Sequence, residues 1–166
     1  MLFKKLFILT FLITFSFNSF ANTPKSTGKY KNWESFTAEI QGGKICFAQT
    51  APTRRAPAAV KRDKSKLFVT FRPSENINDE ISITSGHVYK SSTVTAKSGK
   101  RSYSFFSKED FAWILDDKEE KRFIQLMKKA TDVIVKARTT KGAETTDHYS
   151  MMGFTKAYNT AKKNCS

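Results

Sequence analysis

Residues that hold metals and cofactors are scarce in this sequence, which has two histidines, two cysteines and seven glycines in 166 positions. His87 and His148 lie far apart in sequence and make no ligand spacing. The one close glycine pair, Gly42-Gly43, has neither the spacing of a phosphate loop nor a helix after it, which leaves nucleotide cofactors without support. No alternation of acidic residues suits calcium. Asp116-Asp117 followed by Glu119-Glu120 reads instead as a helix start, where carboxylates meet the positive end of the helix dipole. A zinc knuckle and a helix-turn-helix pattern are both missing, so sequence-specific nucleic-acid recognition is a poor fit. The expectation is a protein with no cofactor and no metal. Acidic residues are also in the minority, 15 against 29 basic, for a formal charge of +14.

The chain opens as an export signal does, with Lys4 and Lys5 ahead of an apolar stretch from Leu6 through Phe17 and then Ser19-Phe20-Ala21 as small residues for a peptidase. That stretch is shorter than the roughly 20 residues that span a bilayer. The expectation is a signal peptide over residues 1–21, cut after Ala21, with no transmembrane segment afterwards and a place in the periplasm, outside the cell or on its surface. Cutting there leaves 145 residues with 27 basic and 15 acidic side chains, a formal charge of +12. That length suits one core rather than two.

Residues 22–31 are polar and carry Pro and Gly, so they read as a flexible leader to a single domain over 32–166. Short aromatic and β-branched segments then predict strands at Trp33–Ala38, Lys44–Thr50, Lys66–Arg72, Glu80–Thr84, Ser92–Lys97, Arg101–Phe106, Val133–Thr139 and Thr146–Met151. Gln41-Gly42-Gly43 and Lys97-Ser98-Gly99-Lys100 mark two hairpins. The nearly continuous apolar run Leu67-Phe68-Val69-Thr70-Phe71 implies a strand covered on both faces, and Phe68, Phe71, Phe105 and Phe106 sit at core-like positions. Helical spacing predicts one helix over 118–130, capped by Asp116 or Asp117, and another over 154–162. Together these give a mainly β domain, a sandwich or barrel-like fold, with a flanking helix and a short C-terminal one.

Cys46 and Cys165 both survive cleavage, and in an oxidising compartment such a pair joins as a disulfide that closes most of the chain. A reactive or metal-bound thiol is the alternative, but no further ligands cluster with either cysteine. For catalysis, a serine with His148 and Asp147 can be written down as a triad. Adjacent strand residues point to opposite faces, however, so Asp147 is badly placed to orient His148. The polar run Thr145, Thr146, Asp147, Tyr149, Ser150 reads better as alternating structure than as a site.

Charge is the remaining signal. Residues 53–66 form a Pro- and Ala-containing segment with Arg54, Arg55, Lys61, Arg62, Lys64 and Lys66, read as an exposed, mobile basic arm. Such an arm suits lipopolysaccharide phosphates, anionic lipid headgroups, host glycans or nucleic acid, through contacts that added salt weakens; a loop that serves solubility alone is the other reading.

Four segments in order, Lys44-Ile45-Cys46-Phe47-Ala48, Phe68-Val69-Thr70-Phe71-Arg72-Pro73, Asp110-Phe111-Ala112-Trp113 and Glu144-Thr145-Thr146-Asp147-His148-Tyr149-Ser150 with Gly153-Phe154, resemble the invasion-associated locus B family. The resemblance runs from Trp33 to Cys165. It implies a small, β-rich exported protein of alphaproteobacterial type, without an established enzymatic activity and without catalytic residues to carry over. Some members have further cysteines that this chain lacks. The leading expectation is a non-catalytic envelope or surface-interaction protein whose partner is an anionic envelope component or an envelope or host protein. An enzyme acting on an envelope polymer, and an assembly or chaperone-like partner that lends a sheet edge, are the alternatives.

Overall fold

The computed structural model describes residues 23–166; the apolar start and the cleavage point after Ala21 lie outside the described residues. The strands are β1 (Lys25–Tyr30), β2 (Trp33–Ile40), β3 (Gly43–Thr50), β4 (Arg54–Ala56), β5 (Lys66–Arg72), β6 (Ile77–Thr84), β7 (Val94–Ser98), β8 (Arg101–Lys108), β9 (Phe111–Trp113), β10 (Asp132–Arg138) and β11 (Glu144–Ser150). A short 3-10 turn at Pro73–Glu75 and helices α1 (Asp117–Met127) and α2 (Phe154–Asn164) complete the fold. The lateral order is β1-β2-β3-β5-β6-β9-β8-β7-β10-β11-β4. β8 is shared: Arg101–Phe105 pair with β7, whereas Phe106–Lys108 pair with β9. A first sheet, β1-β2-β3-β5-β6-β9, thus continues through β8 into a second, β7-β10-β11-β4. The domain is mainly β with two helices, as the sequence implies.

All eight strands and both helices read from the sequence are present, and both hairpins fall at their glycine turns, joining β2 to β3 and β7 to β8. Three strands lacked a readable signal. The supposed flexible leader pairs along β2, from Lys25↔Thr37 to Tyr30↔Trp33. Its polar composition hid it, because an edge strand supplies mainly backbone hydrogen bonds and needs little apolar alternation. β4 lies inside the supposed mobile arm, and β9 is only three residues long.

Alternation builds the core. Val133, Val135 and Ala137 of β10 point inward, as do Thr145, Asp147 and Tyr149 of β11 and Leu67, Val69 and Phe71 of β5. Trp33 is fully buried; its Nε1 donates to the Ser150 carbonyl at 2.9 Å, and its ring meets Phe154 with centroids 4.8 Å apart. α2 lies on the inner side of the first sheet through Phe154, Ala157, Tyr158 and Ala161. The Cys46–Cys165 disulfide ties its end to β3 across 119 positions of sequence. The turn into α2 requires glycine at 153, where φ is +98° and a Cβ would stand 1.8 Å from the Tyr30 carbonyl oxygen.

α1 starts as the sequence predicts, with the Asp116 side chain accepting from the Glu119 N–H at 2.8 Å. It places Phe123 against Tyr103 and Phe105. Glu120 on the same helix accepts from the Ile81 N–H at 2.6 Å. Burial, helped by the Glu80, Asp117 and Asp79 carboxylates, outweighs that bond and lifts the Glu120 pKa to about 7. A carboxyl whose pKa is raised on folding stabilises the fold below its unfolded value, and the contribution is lost as pH rises through the folded value. Glu120→Gln is therefore expected to remove a decline in stability between about pH 4.5 and about pH 7.5. Urea unfolding of both proteins across that range checks it, and parallel stability curves would refute the assignment.

The two sheets turn different chemistry outward. The outer side of the first carries half-buried Phe36, Phe47, Phe68, Phe111 and Trp113, and next to them Phe106 is 51% exposed. The core-like assignment holds for Phe71 and Phe105 but not for Phe68 or Phe106. β5 is buried on its inner face, and on its outer face Phe68 is shielded by neighbouring rings rather than by a further layer. The second sheet's outer face is polar and basic.

Candidate anion-binding face

The basic segment of residues 53–66 is stitched to the domain. Arg54, Arg55 and Ala56 pair with His148, Asp147 and Thr146, making β4 the edge of the second sheet. The Thr53 N–H donates to the His148 carbonyl at 2.7 Å, and the Asp63 N–H donates to the Gly86 carbonyl at 2.8 Å. Gly86 has φ +71°, and a Cβ there would lie 2.2 Å from the Asp63 carbonyl oxygen, so the close approach depends on glycine.

Arg62 anchors the segment from within. Its Nη2 donates to Asp147 Oδ1 at 2.6 Å and its Nη1 to Oδ2 at 2.8 Å, with the two side chains 2% and 1% exposed. Nη1 also donates to the Ser85 carbonyl at 3.1 Å. Asp147 occupies an inward position of β11, where an unpaired carboxylate would be costly, and the bidentate guanidinium meets that need. Arg62 is therefore not an exposed cation, a correction to the reading of a mobile arm. Sequence reading missed the pairing because the partners are 85 positions apart. Lys66 also leaves the set: it opens β5 on the other sheet, and its Nζ donates to Gln49 Oε1 at 2.8 Å. Arg54, Arg55, Lys61 and Lys64 are exposed, although the Arg55 guanidinium also donates to the Asp63 carbonyl and its Nε lies 3.9 Å from Asp147 Oδ1.

Asp147 and His148 divide as strand alternation requires. Asp147 points inward to Arg62, whereas His148 points outward and its Nε2 lies 2.7 Å from Arg54 Nη2, so the two do not form a triad. His87 Nε2 lies 3.0 Å from the Thr145 hydroxyl. Burial, with the Arg62 and Arg55 charges, holds His87 below the usual histidine pKa. Among the described residues no three His, Cys, Asp or Glu side chains come together as a metal site needs.

Register aligns the outward residues of the second sheet into rows. One runs Ser102, Lys97, Ile134, His148, Arg54; the next runs Ser104, Thr95, Lys136, Thr146, Ala56. Arg54, Lys97, Lys136 and Arg138 share this face with Glu144 and Asp132, so cations outnumber acids four to two. Glu144 is engaged at 3.4 Å by Lys136 and at 3.6 Å by Arg138. A cleft of about 390 Å3 opens among Thr95, Lys97, Ser102, Ile134 and Lys136. Beyond the β4 edge, Arg55 and Lys61 line a second hollow of about 240 Å3 with Pro57 and Val60. The alternation Val133-Ile134-Val135-Lys136-Ala137-Arg138 was the signal for this face: every second residue is apolar and buried, and the others end in charge or reach solvent.

No protein-family model matches the sequence, and no curated protein does so either. The crystal structure of invasion associated protein B from Bartonella henselae superposes with a TM-score of 0.59, covering 84% of this chain and 96% of that one. The two chains share a fold. Identity to the Bartonella protein is 13%, so the likeness is one of architecture, and it agrees with the resemblance read from the four segments. Among the described residues no helix is long and apolar enough to cross a membrane.

Proposed function

We propose that this chain is an exported, non-catalytic envelope or surface protein that binds an anionic partner, such as lipopolysaccharide, anionic lipid or an acidic glycan, through the basic face of the second sheet and its β4 edge. The observation that carries the reading is the set of exposed cations, Arg54, Lys97, Lys136 and Arg138, gathered on one face by the pairing of β4, β11, β10 and β7. Export draws support from the N-terminal pattern and from the disulfide, which suits an oxidising compartment. The Bartonella protein of the same fold is an invasion associated protein, which favours a role at a cell surface.

Each surface cation near an anionic membrane contributes about 1 kcal/mol. Arg54→Gln, Lys97→Gln and Lys136→Gln together are then expected to weaken binding to phosphatidylglycerol or lipopolysaccharide vesicles about 100-fold at low salt. Raising salt from about 50 to about 300 mM is expected to do the same to the unaltered protein. Cosedimentation with vesicles measures both. Binding that persists in high salt or in the triple variant would reject this face as the site.

A further inference from the structure

The cleft of about 390 Å3 on the second sheet has an internal order that charge alone does not explain. Three of its residues, Asp132, Ile134 and Lys136, follow one another at every second position of β10, so all three side chains stand on the same outward face. A carboxylate, an aliphatic chain and an ammonium group thus lie in a line whose ends are about 13 Å apart. β7 borders that line, with Lys97 opposite Ile134 and Thr95 opposite Lys136. Ser102 of β8 stands opposite Lys97 in turn.

Each of these groups has bonding capacity to offer. Lys136 donates to Glu144 Oε1 at 3.4 Å, which engages one of the three protons of its ammonium. Lys97 is exposed, and its neighbours across the register are the Ser102 hydroxyl and the Ile134 side chain rather than a carboxylate. Asp132 is exposed too, and its Oδ1 accepts from the Thr131 hydroxyl at 3.0 Å, which leaves Oδ2 for another donor. Ile134 is the one large apolar side chain in the two outward rows, half-buried between Lys97 and His148. Of the other charges nearby, Arg138 and Glu144 oppose one another past Lys136, and Lys100 and Arg101 belong to the β7–β8 turn at the Asp132 end.

We propose that this cleft takes a hexose unit carrying one phosphate, an inference that rests on the anion-binding reading of the face and narrows its ligand to a sugar phosphate. Lys97 and Lys136 reach the phosphate from neighbouring strands, and two ammonium groups suit the double negative charge of a phosphate monoester. The pyranose ring lies with its C–H side on Ile134, and its far hydroxyls donate to Asp132. Thr95 and Ser102 add hydroxyls at the border. Asp132 is what decides against a plain anion. A carboxylate beside the two lysines repels inorganic phosphate or a lipid headgroup, whereas it serves a sugar as an acceptor for hydroxyls. The volume is at the small end of the range for ligand sites, which suits one sugar unit.

Titration of the oxidised protein with glucose 6-phosphate at low salt, followed by NMR of the backbone amides, tests this, with inorganic phosphate as the comparison. Shifts centred on Thr95, Lys97, Ile134 and Lys136 are expected, and inorganic phosphate is expected to bind about tenfold more weakly. Asp132→Ala, at an exposed position, separates the sugar from simple charge attraction. It is expected to weaken glucose 6-phosphate about tenfold through loss of the acceptor, and to bind inorganic phosphate at least as well because a repelling charge has gone. Charge attraction alone makes both ligands bind more tightly to that variant. Cosedimentation of Asp132→Ala then identifies the source of the sugar phosphate: weaker binding to lipopolysaccharide vesicles but not to phosphatidylglycerol vesicles places it in the envelope, and unaltered binding to both assigns a free sugar phosphate. Inorganic phosphate binding as tightly as glucose 6-phosphate, or glucose 6-phosphate binding more tightly to Asp132→Ala, would overturn the proposal. So would the absence of shifts at the four residues; if Arg54→Gln, Lys97→Gln and Lys136→Gln together still abolish vesicle binding, the anion-binding face then stands without this ligand.

Discussion

Asp147→Ala is expected to cost about 3–5 kcal/mol of unfolding free energy, because it leaves the Arg62 guanidinium buried without a counter-charge. The neighbours of Arg62 cannot replace the carboxylate. Ser85 and Ala56 offer carbonyl oxygens at 3.1 and 3.4 Å, which satisfy N–H groups but not the charge. Arg55, the other group near Asp147, is itself a cation. The pair as a whole is a different matter: its Coulomb attraction is largely offset by the desolvation of two ions. Arg62→Met combined with Asp147→Leu is accordingly expected to fall within about 1 kcal/mol of the unaltered protein. Urea denaturation of the three proteins decides the point. If the single and double variants lose equal stability, the contribution comes from packing around the segment rather than from the unpaired charge. Limited proteolysis adds a local readout, since residues 51–65 are held down chiefly by β4, Arg62 and the Asp63–Gly86 bond and should become cleavable in Asp147→Ala.

Removing the disulfide should have an effect of similar size by a different route. Replacing Cys46 and Cys165 by alanine is expected to lower stability by about 4–5 kcal/mol, the loop-entropy value for a closed loop of this length. That corresponds to a fall in melting temperature of about 10–15 °C. The native fold should survive, because α2 is also fixed by Phe154, Ala157, Tyr158 and Ala161, all buried, and by Tyr158 donating to Asp79 at 2.6 Å. The loss arises mainly in the unfolded chain, which regains the freedom that the cross-link removes. Thermal and guanidinium unfolding of the oxidised protein and the double variant measure it, and a loss below about 1 kcal/mol would contradict the entropic account.

Much of this architecture is legible in the residues themselves. Strand and helix positions followed from alternation and from helical spacing, the hairpins from their glycines, and the pairing of Cys46 with Cys165 from their number and placement. What escaped was set by contacts distant in sequence. β1 is polar because it lies at an edge and carries little of the core. Arg62 looked like its neighbours Lys61 and Lys64, and only the inward position of Asp147, across the fold, distinguishes it. The same holds for the candidate site. Four of the six cations read as one loop remain exposed, but Lys97 and Lys136 join them only through the register of β7 and β10. Phe68 and Phe106 look like core residues by apolar character alone, but the pleat turns Phe68 to the outer side of its sheet and sends Phe105 inward and Phe106 outward from adjacent positions.

That last pair of neighbours has a consequence for how the sequence can change. β8 is the one strand held in common by the two sheets, so its residue count sets the parity of both. One residue added between Arg101 and Phe106 would leave the β9 half in place and reverse inside and outside for the β7 half, turning buried side chains such as Tyr103 toward solvent. Length variation is therefore expected at the Gly99 turn, where a side chain would meet open space, and in β8 only in steps of two or as a bulge that restores the count.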